Sequence, residues 1–237
     1  MERFKLSPCG RWMGLIGSAR KGGGSINVLD ARTLQWIAQA RIESRGGVAD
    51  FEWWSNGEGM CIAGKNGEVS EWSVQERRIL ARWMDEGAVG TTVIGLGGQS
   101  GREGLGGDRW VALGSSSGIV NIYDRRAWSG KDAISSNPKP TRVLDQLTTA
   151  TSNLVFSPDG QLLAISSRWK RDALRLGIPF PDHRAICTLL TEVKSPPALL
   201  HRLPQLADLF HSTRQNHISR VFSVFRYASG GQRAGQN

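Results

Sequence analysis

The residue types that do most acid–base and metal chemistry sit in one part of this chain. All four histidines, His183, His201, His211 and His217, lie in the last quarter, so the first 176 residues hold none for a catalytic triad or an imidazole metal site. The three cysteines, Cys9, Cys61 and Cys187, are odd in number and widely spaced, which reads as reduced thiols of an intracellular protein. Cys9 and Cys61 fall in or beside strand-like runs and are expected to serve as small hydrophobes. GGQSGREGLGGD, from Gly97 to Asp108, has the glycine density of a phosphate-cradling loop. It lacks the GxxxxGKS or GxxxxGKT spacing, and no helical pattern follows it. The sequence therefore predicts no enzyme, no cofactor, no metal site and no small-molecule substrate.

One run has the chemistry of recognition. SSRWKRDALRL, Ser166 to Leu176, places Arg168, Trp169, Lys170 and Arg171 together in a longer basic loop where a short turn is expected. Arg and Trp are enriched at interface hot spots, and Arg forks onto phosphates. These four residues are the candidate partner or RNA contact, against the plainer reading of a solvated charged hairpin. Asp159, in FSPDG, reads as a turn-former, and Asp50 as a residue just before a strand. For Asp159 the alternative is a partner contact on the propeller face. Trp53 and Trp54 are adjacent, so on a strand they point to opposite sides, one to the core and the other to a potential surface anchor.

The elements that position these residues are repeated. Four segments share one pattern: an apolar strand, a polar turn with Gly, a small-residue strand, a second turn, and an alternating strand closing on an aromatic or acidic residue. They run from Phe4 to Ile42, Val48 to Trp83, Val89 to Arg126 and Thr151 to Leu176. Gly57, Gly67, Gly118 and Gly160 fall between short β-rich runs, where tight hairpins need positive φ. Asp30, Ser73 and Asp124 mark the same place in successive repeats, 43 and 51 residues apart, against ~40–45 for a WD unit. The Gly97–Asp108 insertion accounts for the longer interval, and SGKDAISSNPKPTR, Ser129 to Arg142, reads as an exposed linker. The expected fold is all-β: a partial, open WD-repeat β-propeller of about four blades over 1–176, with an irregular, non-propeller tail over 177–237.

The net charge of +9 is not concentrated on a nucleic-acid footprint. The tail has seven Lys/Arg against three Asp/Glu, and the remaining charge is spread over 176 residues. No apolar run approaches the ~18 residues of a membrane span, and MERFKLSPCGRW lacks the apolar region of a secretory signal.

GIVNIYD, FSPCGR-like SPCGRWMGLIG with INVLDARTLQW, and LTTATSNLVFSPDGQLLAISSRWKRDALRL resemble the WD-repeat family of U3 small nucleolar RNA-associated protein 18 over about Phe4 to Leu176. The resemblance implies a non-catalytic scaffold subunit of the small-subunit processome in the nucleus and nucleolus, supporting small-subunit ribosomal RNA processing. It also implies partners: other propeller subunits, and the U3 small nucleolar ribonucleoprotein and pre-ribosomal RNA, touched directly or through those subunits. The alternative is a generic intracellular WD module such as a substrate adaptor. Family members carry a long amino-terminal extension and earlier blades, so no function of those parts carries over.

The blade pattern stops after Leu176. Back-translating His201 to Asn237 with suitable synonymous codons, and reading one nucleotide later, gives a peptide with FSRFSD as a turn and LAVGNEQGK as strand and turn. That peptide resembles what the same family carries after its DALRL motif. The tail thus reads as a retained intron, about Gly177 to Lys194, followed by an out-of-frame exon.

Overall fold

The structure is a computed structural model that describes residues 3–18, 23–87, 89–99, 106–128, 136–170, 173–177 and 179. Within them the chain forms four antiparallel sheets, each a meander of consecutive strands. The first holds β1 Phe4–Leu6, β2 Trp12–Ser18, β3 Gly24–Asp30 and β4 Trp36–Ile42. The second holds β5 Val48–Trp53, β6 Gly59–Gly64, β7 Glu68–Ser73 and β8 Arg78–Met84. In the third are β9 Thr91–Gly97, β10 Trp110–Ser115, β11 Val120–Asp124 and β12 Arg142–Leu144, with one 3-10 turn, Arg125–Trp128, between the last two. The fourth has three strands, β13 Asn153–Phe156, β14 Leu163–Ser166 and β15 Leu174–Gly177. This is the expected open, partial propeller of four blades, and the described residues contain no α-helix.

Register confirms the repeat. Asp30, Ser73 and Asp124 end the third strand of their blades and pair with Trp12, Gly59 and Trp110, the first residues of the second strands. Gly57, Gly67, Gly118 and Gly160 have φ of 73°, 92°, 90° and 70°, as tight turns require. One boundary is corrected. Arg142 does not end a linker: it opens β12, the outer strand of the third blade, with Ile122 pairing to Arg142 and Val120 to Leu144. The polar, proline-containing sequence before it hid this three-residue strand.

The core lies between blades. Strand alternation sends Met60 and Ile62 of β6 to the first seam, with Ile26, Val28 and Phe51, and sends Cys61 and Ala63 to the second, with Val111, Leu113 and Tyr123. β10 repeats the division: Val111 and Leu113 face the second seam, while Trp110 and Ala112 face the third, with Leu154, Phe156 and Leu163. Every residue of β6 and β10 is therefore buried. Full burial of one large apolar side chain is worth about 1.5–3 kcal/mol, so the seams are the main source of stability. Backbones approach closely there: a Cβ on Gly97 would lie 2.3 Å from Cβ of Phe156 in the fourth blade.

Candidate interaction surface

The basic turn closes β14 onto β15. Ser166 pairs with Leu174, leaving seven residues, 167–173, in the connection; the equivalent β6–β7 connection has three, 65–67. Polar bonds fix its base. The Ser167 N–H donates to the Ala173 carbonyl (3.0 Å), the Thr149 hydroxyl to Ser167 Oγ (2.8 Å), and the Arg168 N–H to Ser152 Oγ (3.0 Å). Above that base Arg168, Trp169 and Lys170 are exposed, Trp169 at 66%. The Arg168 guanidinium lies over the Trp169 ring, 4.8 Å from its centroid. Such stacking is worth about 0.5–1 kcal/mol at an exposed site, enough to bias the ring's orientation. Arg171 lies outside the described residues, as do the four histidines, Cys187, residues 100–105 of the 97–108 glycine-rich loop and the tail beyond 179.

Hydrogen bonds place this turn on one rim with its counterparts. The Lys65 N–H donates to Gly47 O, Thr91 N–H to Lys65 O, Ser116 N–H to Gly90 O and Thr151 N–H to Ser115 O. The β6–β7, β10–β11 and β14–β15 turns thus share a rim. Arg32, in the β3–β4 turn, is at the opposite end of its strands.

A second polar group lines the centre. Arg3, Lys5, Asp50, Glu52, Ile94 and Asn153 contribute to a concavity of about 470 Å3 bounded by β1, β5, β9 and β13. Asp50 is not a residue preceding a strand, as its sequence suggested: it lies inside β5, 1% exposed. Its carboxylate is 3.3 Å from Arg3 and 3.2 Å from Lys5, and accepts a 3.4 Å bond from the Ile94 N–H. Lys5 also meets Glu52 at 2.7 Å. Burial opposes the Lys5 charge, but Glu52 and Asp50 outweigh it and hold the ammonium above its ordinary pKa. Asp50 thus forms a blade-to-blade ion pair with the first strand of the preceding blade. Asp159 is the expected turn-former, accepting from the Ser157 hydroxyl (2.5 Å) and the Gln161 N–H (3.1 Å).

Two further expectations are corrected. Trp53 and Trp54 do diverge, but both are buried at 3%, Trp53 in the first seam and Trp54 in the second. No surface anchor remains, because an inner blade has a neighbour on each face. Cys61 is buried as expected, whereas Cys9 is exposed, in the turn before β2 with its thiol 3.2 Å from Ser7 Oγ. Local sequence gave no signal for the second seam's polar centre. There Arg125 donates to Glu71 (3.0 Å), which also accepts from Trp54 Nε1 (3.0 Å) and the Cys61 thiol (2.8 Å). Burial, then the Glu71 carboxylate, pushes the Cys61 thiol well above its ordinary pKa. Among the described residues there is no histidine and no group of three His, Cys, Asp or Glu able to hold a metal ion. No helix there is long and apolar enough to cross a membrane.

Meander blades in one repeated register, packed through three seams with turns gathered on rims, define the class: a WD-repeat β-propeller protein. No family model matches the chain. It is 38% identical over 176 residues, 74% of its length, to probable U3 small nucleolar RNA-associated protein 18 of Schizosaccharomyces pombe. It is 39% identical over 168 residues, 65% of its length, to U3 small nucleolar RNA-associated protein 18 of Saccharomyces cerevisiae, and 31% over 191 residues, 81%, to the Mus musculus homolog. The chain belongs to the U3 small nucleolar RNA-associated protein 18 family. It spans 30%, 27% and 30% of these three relatives.

Proposed function

We propose that the protein is a non-catalytic scaffold in ribosome biogenesis, acting in the nucleolus within the small-subunit processome and supporting small-subunit ribosomal RNA processing. The observation that carries this reading is the 38–39% identity to two yeast proteins named for association with U3 small nucleolar RNA. The fold is consistent with it. Propellers present rims and loops on a rigid core, and the polar clusters described above are consumed in blade-to-blade bonds, which leaves recognition to exposed turns. Its partners on this reading are other propeller subunits, the U3 ribonucleoprotein and pre-ribosomal RNA.

Affinity purification of the tagged protein from its own cells, with sequencing of bound RNA and mass spectrometry of bound proteins, tests the proposal. U3 RNA and small-subunit processing factors are expected in the eluate, and depletion should cause unprocessed small-subunit precursor to accumulate. An eluate holding a different intracellular complex without U3 RNA, the outcome for a generic adaptor, would overturn it.

A further inference from the structure

We infer that the β14–β15 turn is a binding site for single-stranded RNA, with Trp169 as a stacking platform for a base and Arg168 and Lys170 as contacts for the flanking phosphates. The inference rests on the ribosome-biogenesis reading for its setting, and on the geometry of the turn for its chemistry.

Three observations carry it. The turn is longer than the β6–β7 connection, and its base is held by bonds to Ser152, Thr149 and Ala173, so Arg168, Trp169 and Lys170 stand exposed on a fixed support. A large indole left 66% exposed forgoes burial that the other described tryptophans except Trp36 largely obtain. An aromatic kept in water has a use when a planar ligand covers it. Finally, the Arg168 guanidinium lies 4.8 Å from the centre of the Trp169 ring, so a cation stands beside an exposed aromatic on which a base can stack. Among the described residues no carboxylate is within ion-pair distance of Arg168 or Lys170, so both charges are available to phosphates. An acidic peptide would also meet the two cations, but its carboxylates have no use for the indole face. Stacking does not depend on base identity, and duplex RNA hides its base faces, so the site should prefer single strands with little sequence selection.

The test measures fluorescence anisotropy of fluorescein-labelled oligouridine, its duplex with oligoadenine, and polyglutamate against the full chain. It compares Trp169→Ala, Trp169→Phe, the pair Arg168→Glu/Lys170→Glu, and Arg32→Glu on the opposite rim. Single strands should bind in preference to duplex. Trp169→Ala should weaken binding about tenfold with the salt slope unchanged, and Trp169→Phe should restore most of it. The double charge reversal should weaken binding further and flatten the slope of log K against log salt by about 1.4, at ~0.7 per phosphate contact on a single strand. Arg32→Glu should change binding little.

Equal loss from Arg32→Glu would mean diffuse attraction and overturn the inference. So would binding indifferent to Trp169, preference for duplex, no binding to oligouridine, or tighter binding to polyglutamate. Recovery of U3 RNA with the tagged charge-reversed variant separates the two proposals. Retained U3 RNA with lost oligouridine binding supports a direct contact within an intact scaffold. U3 RNA retained by a wild-type chain that binds no oligouridine overturns the contact alone.

Discussion

Arg125 and Glu71 face each other across the seam between the second and third blades, Nη2 3.0 Å from Oε2, with both side chains at 0% exposure. Removing one partner leaves a charge sealed from water. Arg125→Met is therefore expected to lower unfolding free energy by about 3–5 kcal/mol, whereas Arg125→Met combined with Glu71→Gln should cost less than the sum of the single changes. Urea unfolding of the three variants checks this, and strict additivity would contradict it.

Asp85 gives a pH dependence of definite sign. Burial raises its carboxyl pKa above the ordinary value, against the bonds from the Tyr123 hydroxyl (2.5 Å) and the Asn121 amide (2.8 Å), which favour the ionised form. The folded state thus keeps this proton to higher pH than the unfolded chain does. Its contribution to stability is complete below the unfolded pKa of about 3.9 and is lost as pH rises through the folded value. Asp108 is shifted in the same direction, also through burial. Both donors reach the same oxygen, so Asp85→Asn preserves an acceptor while removing the buried charge. The variant should be at least as stable as the parent at neutral pH, and its stability should fall less between about pH 4 and 7. Urea midpoints at the two ends of that range decide it; an unchanged pH slope would rule this out.

Two turn glycines with similar backbones should differ in tolerance. Gly118 has φ of 90° and a Cβ there would meet the Leu147 carbonyl oxygen at 2.3 Å, while Gly10 has φ of 71° and open space. Gly10→Ala carries backbone strain of about 1 kcal/mol. Gly118→Ala adds a clash with main chain that cannot rotate away, for a total of at least about 2 kcal/mol. Thermal unfolding of the pair would contradict the argument if the two losses were equal.

These cases mark where the sequence was legible. The turn glycines and the positions of Asp30, Ser73 and Asp124 are properties of single hairpins, set within a few residues, and the observed register reproduces them. Features that depend on a neighbouring blade were hidden. Trp54 looked available as a surface anchor until the second seam enclosed it, Asp50 looked like a loop acid until β1 brought Lys5 to it, and nothing near Arg125 announced Glu71. The Arg168–Lys170 turn was legible because its length and composition break the repeat locally.

The reading of 201–237 as an out-of-frame exon has its own expected outcome. Sequencing transcripts of the gene should yield a shorter, spliced message that lacks a stretch after the Leu176 codon and continues the blade pattern in the shifted frame. Only one message, encoding the present tail without interruption, would refute it.

Each sheet pairs strands that follow one another in the chain, so backbone pairing is local and ties between distant residues arise at the seams. Cooperativity in such an array is a nearest-neighbour quantity, summed seam by seam rather than stored in one common core. The second and third blades, seamed on both faces, are then the last to open, and the slowest amide exchange belongs to β6 and β10. The Glu71–Arg125 pair lies within the apolar seam joining those two blades, so removing one partner should weaken the coupling that the packed side chains around it otherwise maintain.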